Sequence, residues 1–339
     1  MKLALYSAKG FERDAFDRAN QGRHEILYHE ARLDASTAPL ADGCPAICAF
    51  ANDDVGAETL DALAATGVRL VALRCAGFNQ VNLDRADELG IAVARVPAYS
   101  PHAVAEHAAA LLLSLVRKIH RAHNRVREHN FSLDGLIGFD LHGKTVGVIG
   151  AGKIGASFIR IMRGFGCTVL AHDPSPTDPV ERFGAEPAGL DRVLAESDVI
   201  SLHCPLTPAT HHLIDAAALD ATKPGVVIVN TSRGGVVDTR ALIESLKQGR
   251  LGGLALDVYE EEGDVFFRDL SEHALQDDIL ARLLTFPNVL VTAHQGFLTR
   301  EAIGEIASVT LGNLDGFERD GQAGIPRQNV VSAAQHVAD

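Results

Sequence analysis

Positive charge is scarce in this 339-residue sequence, where 31 lysines and arginines stand against 44 aspartates and glutamates for a formal net charge of −13. A nucleic-acid surface needs a basic stripe to meet phosphates, and none is present. Cysteine is sparse as well, with five residues scattered at 44, 48, 75, 167 and 204. An odd, scattered set excludes a disulfide framework and fits thiols in a reducing compartment. Cys44 and Cys48 have no second pair to complete a zinc site and read as core residues. Long apolar runs are missing too. The most lipid-like stretch, HAAALLLSLV at 107–116, is far shorter than a bilayer span and is flanked by Glu106 and Arg117. The opening MKLALYSAKGFERD has an apolar run too short for a signal-peptide core. None of the 15 histidines forms a helical metal pair with a nearby carboxylate, and His211–His212 reads as a solvated turn. With 47% hydrophobic and 22% charged residues, the expectation is a globular, cytoplasmic enzyme with no metal.

Short β-rich runs alternate with amphipathic stretches nearly throughout. KLALYS, PAICAF, VRLVALR and IAVARV read as strands, with VGAETLDALAATG and NLDRADELG as helices between them. That alternation implies βαβ units on a parallel sheet. At Ser100 the texture changes: Ser100 suits an N-cap, Pro101 the first helical position, and no breaker follows until about Asn130. The pattern predicts one long helix over 101–129, apolar enough to offer a dimer face. A second series then begins with TVGVIG, CTVLAHD, SDVISLHCP, GVVIVNTS, LGGLALDV and NVLVTAH, and a last helix runs from about Thr299 to Glu318. Length alone favours two domains. The predicted division is 100–296 inserted into a domain made of 1–99 and 297–339.

VGVIGAGKIG places Gly150, Gly152 and Gly155 between an apolar strand and a helix whose Ile154, Phe158, Ile161 and Phe165 share a face. Gly150 permits the tight turn, Gly152 lets backbone approach a pyrophosphate, and Gly155 lets helix pack on strand. The helix N-terminus supplies N–H groups and positive dipole to that anion. The next strand ends in Asp173, where a carboxylate would bind ribose hydroxyls and repel a 2′-phosphate, favouring NAD over NADP. Arg233, Asp257 and His294 each sit just past an apolar strand, the edge that lines the ligand crevice of a parallel sheet. Singly, Arg233 could be a salt-bridge partner and His294 a polar loop residue. Among Glu260, Glu261 and Glu262, one carboxylate against His294 would orient a catalytic imidazole, and the other two read as solvated.

GVIGAGKIG, SDVISLHCPLTPAT, VNTSRGGVVD, LDVYEEE and VTAHQGF, in that order, resemble the D-2-hydroxyacid dehydrogenases over nearly the whole chain. LRCAGFNQVNLD, VPAYSPHAVAEHAA, NFSLDGLIGFDLHGKTVGVIG and FFRD resemble the bacterial fermentative D-lactate dehydrogenases within that family. The resemblance implies two Rossmann-like parallel-sheet α/β domains with a cleft between them, the cofactor domain inserted into a flavodoxin-like substrate domain. It implies Arg233, Glu262 and His294 as catalytic residues. Ala76, Gly77 and Phe78 would meet the substrate carboxylate through backbone amides, with Tyr99 and Phe297 closing the pocket. Gly150, Gly152, Lys153, Ile154, Gly155, Asp173, Cys204, Pro205, Thr231 and Ser232 would hold NAD, and Asp257 its carboxamide. The implied reaction is reversible NADH-dependent reduction of pyruvate to D-lactate by a homodimer or homotetramer. A bulkier 2-ketoacid, or NAD sensing without turnover, are the other readings. Gly296 departs from the alanine of similar sequences, which predicts a looser loop before Phe297.

Overall fold

The computed structural model describes residues 1–176 and 178–333. The chain divides into two compact units, Met1–Ser100 together with the residues from Leu298 onward, and Pro101–Phe297. Ser100 thus falls with the first unit and Phe297 with the second, each one residue from the predicted borders. The last six residues of the predicted first domain, 334–339, lie outside the described ones.

In the first unit, parallel strands β1 (Lys2–Leu5), β2 (Glu25–Tyr28), β3 (Ala46–Ala49), β4 (Leu70–Leu73) and β5 (Ala92–Ala94) are joined by antiparallel β13 (Val330–Val331). The order is β13-β5-β4-β3-β1-β2. Successive residues of a strand point to opposite faces. Ala46 and Cys48 therefore enter a core with Leu3, Leu5 and Phe16, whereas Ile47 and Ala49 enter another with Tyr6, Leu60 and Leu63. Both faces are covered, so the strands read as continuous apolar runs. Helices α1 (Gly10–Asn20) and α11 (Arg300–Asp320) cover the first face, and α2 (Ala57–Ala65) and α3 (Leu83–Glu88) the second. The side chain of Thr299 caps α11 by accepting from the Ala302 amide at 3.2 Å.

The second unit is a parallel sheet of order β12-β11-β10-β9-β6-β7-β8. Its strands are β6 (Thr145–Ile149), β7 (Thr168–His172), β8 (Glu186–Pro187), β9 (Val199–Leu202), β10 (Val226–Asn230), β11 (Leu251–Leu256) and β12 (Val289–Val291). Val227 and Val229 face a core built with α4 (Pro101–Val116) and α6 (Lys153–Gly164). Val226 and Ile228 face a core that includes residues of α7 (Leu190–Glu196), α8 (Ala216–Ala221), α9 (Thr239–Lys247) and α10 (Asp278–Leu284). At Gly253 an added Cβ would lie 2.9 Å from Leu115 Cδ2, so this glycine lets α4 lie flat on the sheet.

The predicted single helix over 101–129 is two. After Val116 the chain turns at Lys118, whose φ of 52° is left-handed, and α5 (Ile119–Arg127) follows with no buried residue. The backbone at Gly138 crosses the end of α4 so closely that a Cβ there would sit 2.1 Å from the Val116 carbonyl oxygen. Lys118 Nζ donates to the Gly135 carbonyl and fixes the bend. The apolar face of α4 is buried inside its own unit, whereas α5 buries none of its residues there. Phe165, predicted to share a face of the helix with Phe158, is the exposed C-cap of α6. No helix among the described residues is long and apolar enough to cross a membrane.

Arg74, one residue past β4, is fully buried in the first unit. Its Nε donates to Glu12 Oε1 at 2.8 Å and its Nη2 to the Ser7 carbonyl at 3.1 Å. Removing one partner of such a pair strands a charge in the interior, at a cost of about 3–5 kcal/mol. Arg74→Met should therefore lower the urea-unfolding midpoint sharply, and adding Glu12→Leu should recover much of the loss. An unchanged midpoint in Arg74→Met would contradict this.

Candidate active site

The glycine turn between β6 and α6 is built by close approach. Gly150 has φ +92°, and a Cβ on it would meet the Cys204 amide nitrogen at 2.5 Å. A Cβ on Gly155 would lie 2.0 Å from the Gly150 carbonyl oxygen, so the helix starts hard against the strand end. Gly152, the N-cap of α6, has nothing within 4 Å of its Cβ position. Tight packing at two glycines and open space at the third is the form of a pyrophosphate cradle. Lys153 is exposed and Ile154 half-buried at the start of the helix, Cys204 is buried, and Pro205 is exposed beyond it. Burial pushes the Cys204 thiol up to about 11, which keeps it uncharged and inert.

Asp173 closes β7. Its Oδ2 accepts the Ala151 amide at 2.7 Å and its Oδ1 the Ser175 amide at 2.9 Å. The carboxylate is thus both a turn former and a clamp on the glycine loop. Each oxygen keeps a further lone pair for a ribose hydroxyl. These residues fit a dinucleotide.

Arg233, Asp257 and His294 follow β10, β11 and β12, which are neighbours in the sheet. Asn230, fully buried at the end of β10, shapes the first of these turns. Its Oδ1 accepts from the Ser232 amide at 3.0 Å and from Ser232 Oγ at 2.8 Å, while its Nδ2 donates to the Arg233 carbonyl at 2.9 Å. Thr231 is buried, and its hydroxyl has no partner among the described residues. Arg233 Nη1 donates to the Ser232 carbonyl at 2.7 Å. No carboxylate pairs with this guanidinium among the described residues, so the salt-bridge reading of Arg233 fails.

His294 Nδ1 lies 2.7 Å from Glu262 Oε1. Glu262 is itself held, its Oε2 accepting the Tyr259 amide at 3.0 Å. With Nδ1 engaged by the carboxylate, Nε2 is the ring nitrogen left over, and it has no partner among the described residues. The histidine backbone is left-handed, φ 51°, and its amide donates to the Asp257 carbonyl at 2.7 Å.

Asp257 is 2% exposed and accepts four hydrogen bonds. Thr292 Oγ1 (2.5 Å), the Gln295 amide (2.9 Å) and His107 Nε2 (3.1 Å) reach Oδ1, and the Gly296 amide (2.7 Å) reaches Oδ2. Burial alone would raise its pKa, but bonds from His107 and Thr292 outweigh it and hold the carboxyl below the ordinary carboxylate range. His107 and Thr292 had no signal in the sequence, because α4 and β12 meet Asp257 only through the fold. The predicted loosening at Gly296 is not what the structure shows. The residue is buried and pinned, and a Cβ there would approach Asp257 Oδ2 to 3.0 Å.

Two other predictions are corrected. Only Glu261 of the acidic run is solvated, since Glu260 accepts from His212 Nε2 at 2.7 Å and from the Thr239 amide at 2.9 Å. His212 is accordingly one half of a pair that anchors the turn carrying Glu262, with His211 stacked on it at 4.0 Å between centroids.

The predicted carboxylate-binding residues Ala76, Gly77 and Phe78 form a half-buried loop after β4, and Tyr99 is half-buried in the same unit. Phe297 is half-buried at the end of the second unit, directly after the pinned Gly296. Among the described residues, no group of three or more His, Cys, Asp or Glu side chains could hold a metal ion.

A dinucleotide cradle with a guanidinium and a His–Glu pair on one sheet edge defines a nicotinamide-dependent dehydrogenase. Residues 109–296 match the model of the D-isomer specific 2-hydroxyacid dehydrogenase NAD-binding domain. The chain is 52% identical to 2-hydroxyacid dehydrogenase homolog 1 of Schizosaccharomyces pombe, covering 94% of this chain and 96% of that one. It is 50% identical to the D-lactate dehydrogenase of Escherichia coli, covering 94% and 97%. A solved structure described as the pyruvate reductase of Chlamydomonas reinhardtii matches with a TM-score of 0.90 and 42% identity, covering 94% and 97%. The chain belongs to the D-2-hydroxyacid dehydrogenases, close to the bacterial D-lactate dehydrogenases, and is an NAD-dependent oxidoreductase.

Gly234 ties together the segments that carry Arg233 and Glu262. A Cβ on it would lie 2.1 Å from the Tyr259 carbonyl carbon and 2.4 Å from the Glu260 amide nitrogen, both backbone. Gly234→Ala must push Arg233 away from the segment holding Glu262. The expected result is about 1–3 kcal/mol of lost stability and up to roughly a hundredfold loss of turnover, the scale of an ångström of misplacement. Unchanged kinetics in Gly234→Ala would show that this contact does not set the site.

Proposed function

We propose that the protein catalyses reversible NADH-dependent reduction of pyruvate to D-lactate. The observation that carries the reading is a guanidinium without a carboxylate partner among the described residues, Arg233, on the same sheet edge as the Glu262-held His294. Arg233 binds the substrate carboxylate and carbonyl oxygen, a task suited to a planar fork. The amides of Ala76, Gly77 and Phe78 take the carboxylate, and Tyr99 and Phe297 bound the pocket for a methyl group. His294 donates the Nε2 proton to the carbonyl oxygen as that oxygen gains charge, and takes it back in lactate oxidation. Glu262 keeps the ring in the required tautomer and orientation.

When bound, the cofactor supplies the hydride that adds to the carbonyl carbon. Gly150, Gly152, Lys153, Ile154, Gly155, Cys204, Pro205, Thr231 and Ser232 hold it. Asp173 binds its ribose and disfavours a 2′-phosphate, and Asp257 offers its remaining Oδ2 lone pair to the carboxamide. The relatives named for D-lactate and pyruvate support the substrate, and the five thiols, none of them in a disulfide, support a reducing, cytoplasmic setting.

NADH oxidation should be fastest with pyruvate in a survey of 2-ketoacids, and NADPH should serve poorly. Preference for a branched six-carbon ketoacid would overturn the lactate reading. His294→Gln should lower both directions by about 10²–10⁴-fold. Glu262→Gln weakens the bond that holds the His294 ring, so turnover should fall in both directions at neutral pH. Unchanged turnover would show that the pair does not serve catalysis.

We further propose that a second copy of the chain covers α5 and the loop after it. Phe131, Leu133 and Ile137 of that loop are 71%, 80% and 86% exposed and close together in sequence, and α5 before them buries none of its residues. Sedimentation equilibrium should give a multiple of the chain mass, shifting to the single-chain mass in Leu133→Glu with Ile137→Glu. An unmodified protein of single-chain mass refutes it.

A further inference from the structure

Residues 76–78, the part of the loop after β4 that the proposed site uses, carry no charged side chain, yet the reading has them receive an anion. Their geometry depends on a residue from the next strand. Arg95, directly after β5, sends Nη1 to the Ala76 carbonyl at 3.1 Å and lays its guanidinium 5.0 Å from the Phe78 ring centroid. A peptide bond is planar and trans, so the N–H of one residue points opposite to the carbonyl before it. Holding the Ala76 carbonyl toward Arg95 therefore turns the Gly77 N–H the other way. Cys75 does the same one peptide later: its Sγ donates to the Gly77 carbonyl at 3.2 Å, which sets the direction of the Phe78 N–H. Gln80 Nε2 in turn lies 3.6 Å from that sulfur.

The amides of Ala76 and Gly77 donate to nothing among the described residues, and both residues are half-buried, not sealed. Arg95 has no carboxylate within ion-pair distance among the described residues, so its charge is not cancelled locally. It is also rigidly placed. Its amide donates to the Asn329 carbonyl at 2.7 Å, and its carbonyl accepts from Asn313 Nδ2 of α11 at 3.2 Å. Asn329 Nδ2 donates to Asn313 Oδ1 at 2.8 Å, which closes the brace.

We propose that Arg95 is a positioning residue for the substrate carboxylate, orienting the Gly77 amide through the Ala76 carbonyl and adding an uncompensated positive charge behind the loop. The proposal rests on the reading that this loop binds the carboxylate of a 2-ketoacid. Its kinetic signature differs from that of Arg233. A carboxylate is charged in the ground state and in the transition state alike, so losing its binding raises KM and leaves kcat in place. Arg233 also meets the oxygen on which charge develops, so its loss lowers kcat.

The test is steady-state kinetics with pyruvate and NADH, together with inhibition by oxamate, a carboxylate of similar shape that is not reduced. In Arg95→Met, KM for pyruvate and Ki for oxamate should both rise about tenfold to hundredfold, the worth of one charge-assisted hydrogen bond. KM for NADH and kcat should hold. Arg95→Lys, which keeps the charge and one donor, should recover part of the loss. Should Arg95→Met fail to fold by thermal melting, Arg95→Gln gives the same readings. Unmoved KM and Ki in a folded variant overturn the proposal alone. An unmodified enzyme inert toward every 2-ketoacid overturns the functional reading, and the proposal with it.

Discussion

Lateral register across three parallel strands is the constraint on which the site depends. Asn230 of β10 pairs with Leu256 of β11, and Leu256 pairs with Val291 of β12. The three strands therefore stop level with one another, and Arg233, Asp257 and His294 emerge within one to three residues of those ends. A slip of one residue in any of them would carry buried valines and leucines to the wrong face. The apolar packing that fixes the strands thus also fixes the relative height of guanidinium and imidazole. Rigid strands place such groups more sharply than loops could.

Two carboxylates near this edge do different work because their surroundings differ. Asp257 is buried and satisfied from four sides, so it behaves as a peg that ties β11 to the segment around His294. Glu262 is about a quarter exposed and holds a single imidazole, so its charge stays available to a proton on that ring. Behind Glu262 stands the His212–Glu260 pair, which fixes the same turn from the far side. The left-handed backbone of His294 is the strain that this bracing sustains.

The sequence carried the strands clearly, since buried parallel strands are unbroken apolar runs, and it carried the glycine turn because its three glycines meet three different steric demands. Motifs at strand ends brought out Arg233, Glu262 and His294, which the fold then set on one edge. What stayed hidden was long-range. The bend at Lys118 depends on Gly138 crossing the end of α4, twenty residues further on, and local helix signals continue through it. His212 and Glu260 are 48 residues apart, and His107 and Asp257 are 150 apart. Nothing in local periodicity announces such pairs. Arg95 has no local signal for the same reason, as its partner carbonyl belongs to the preceding loop, 19 residues back.

The return of the chain to its first unit has a consequence for synthesis. One face of that unit's sheet, bearing Leu3, Leu5 and Cys48, is covered in part by Phe16 of α1 and completed by Ala307, Leu311 and Leu314 of α11. On a ribosome those residues emerge roughly 200 positions after β5, once the whole of Pro101–Phe297 has been made. The inserted unit has all of its strands in one uninterrupted stretch and can close its core first. The earliest-made part of the protein is therefore the last to be finished, and it holds a half-covered apolar sheet face through most of translation. A chaperone that binds nascent apolar surface would find its substrate in the first hundred residues.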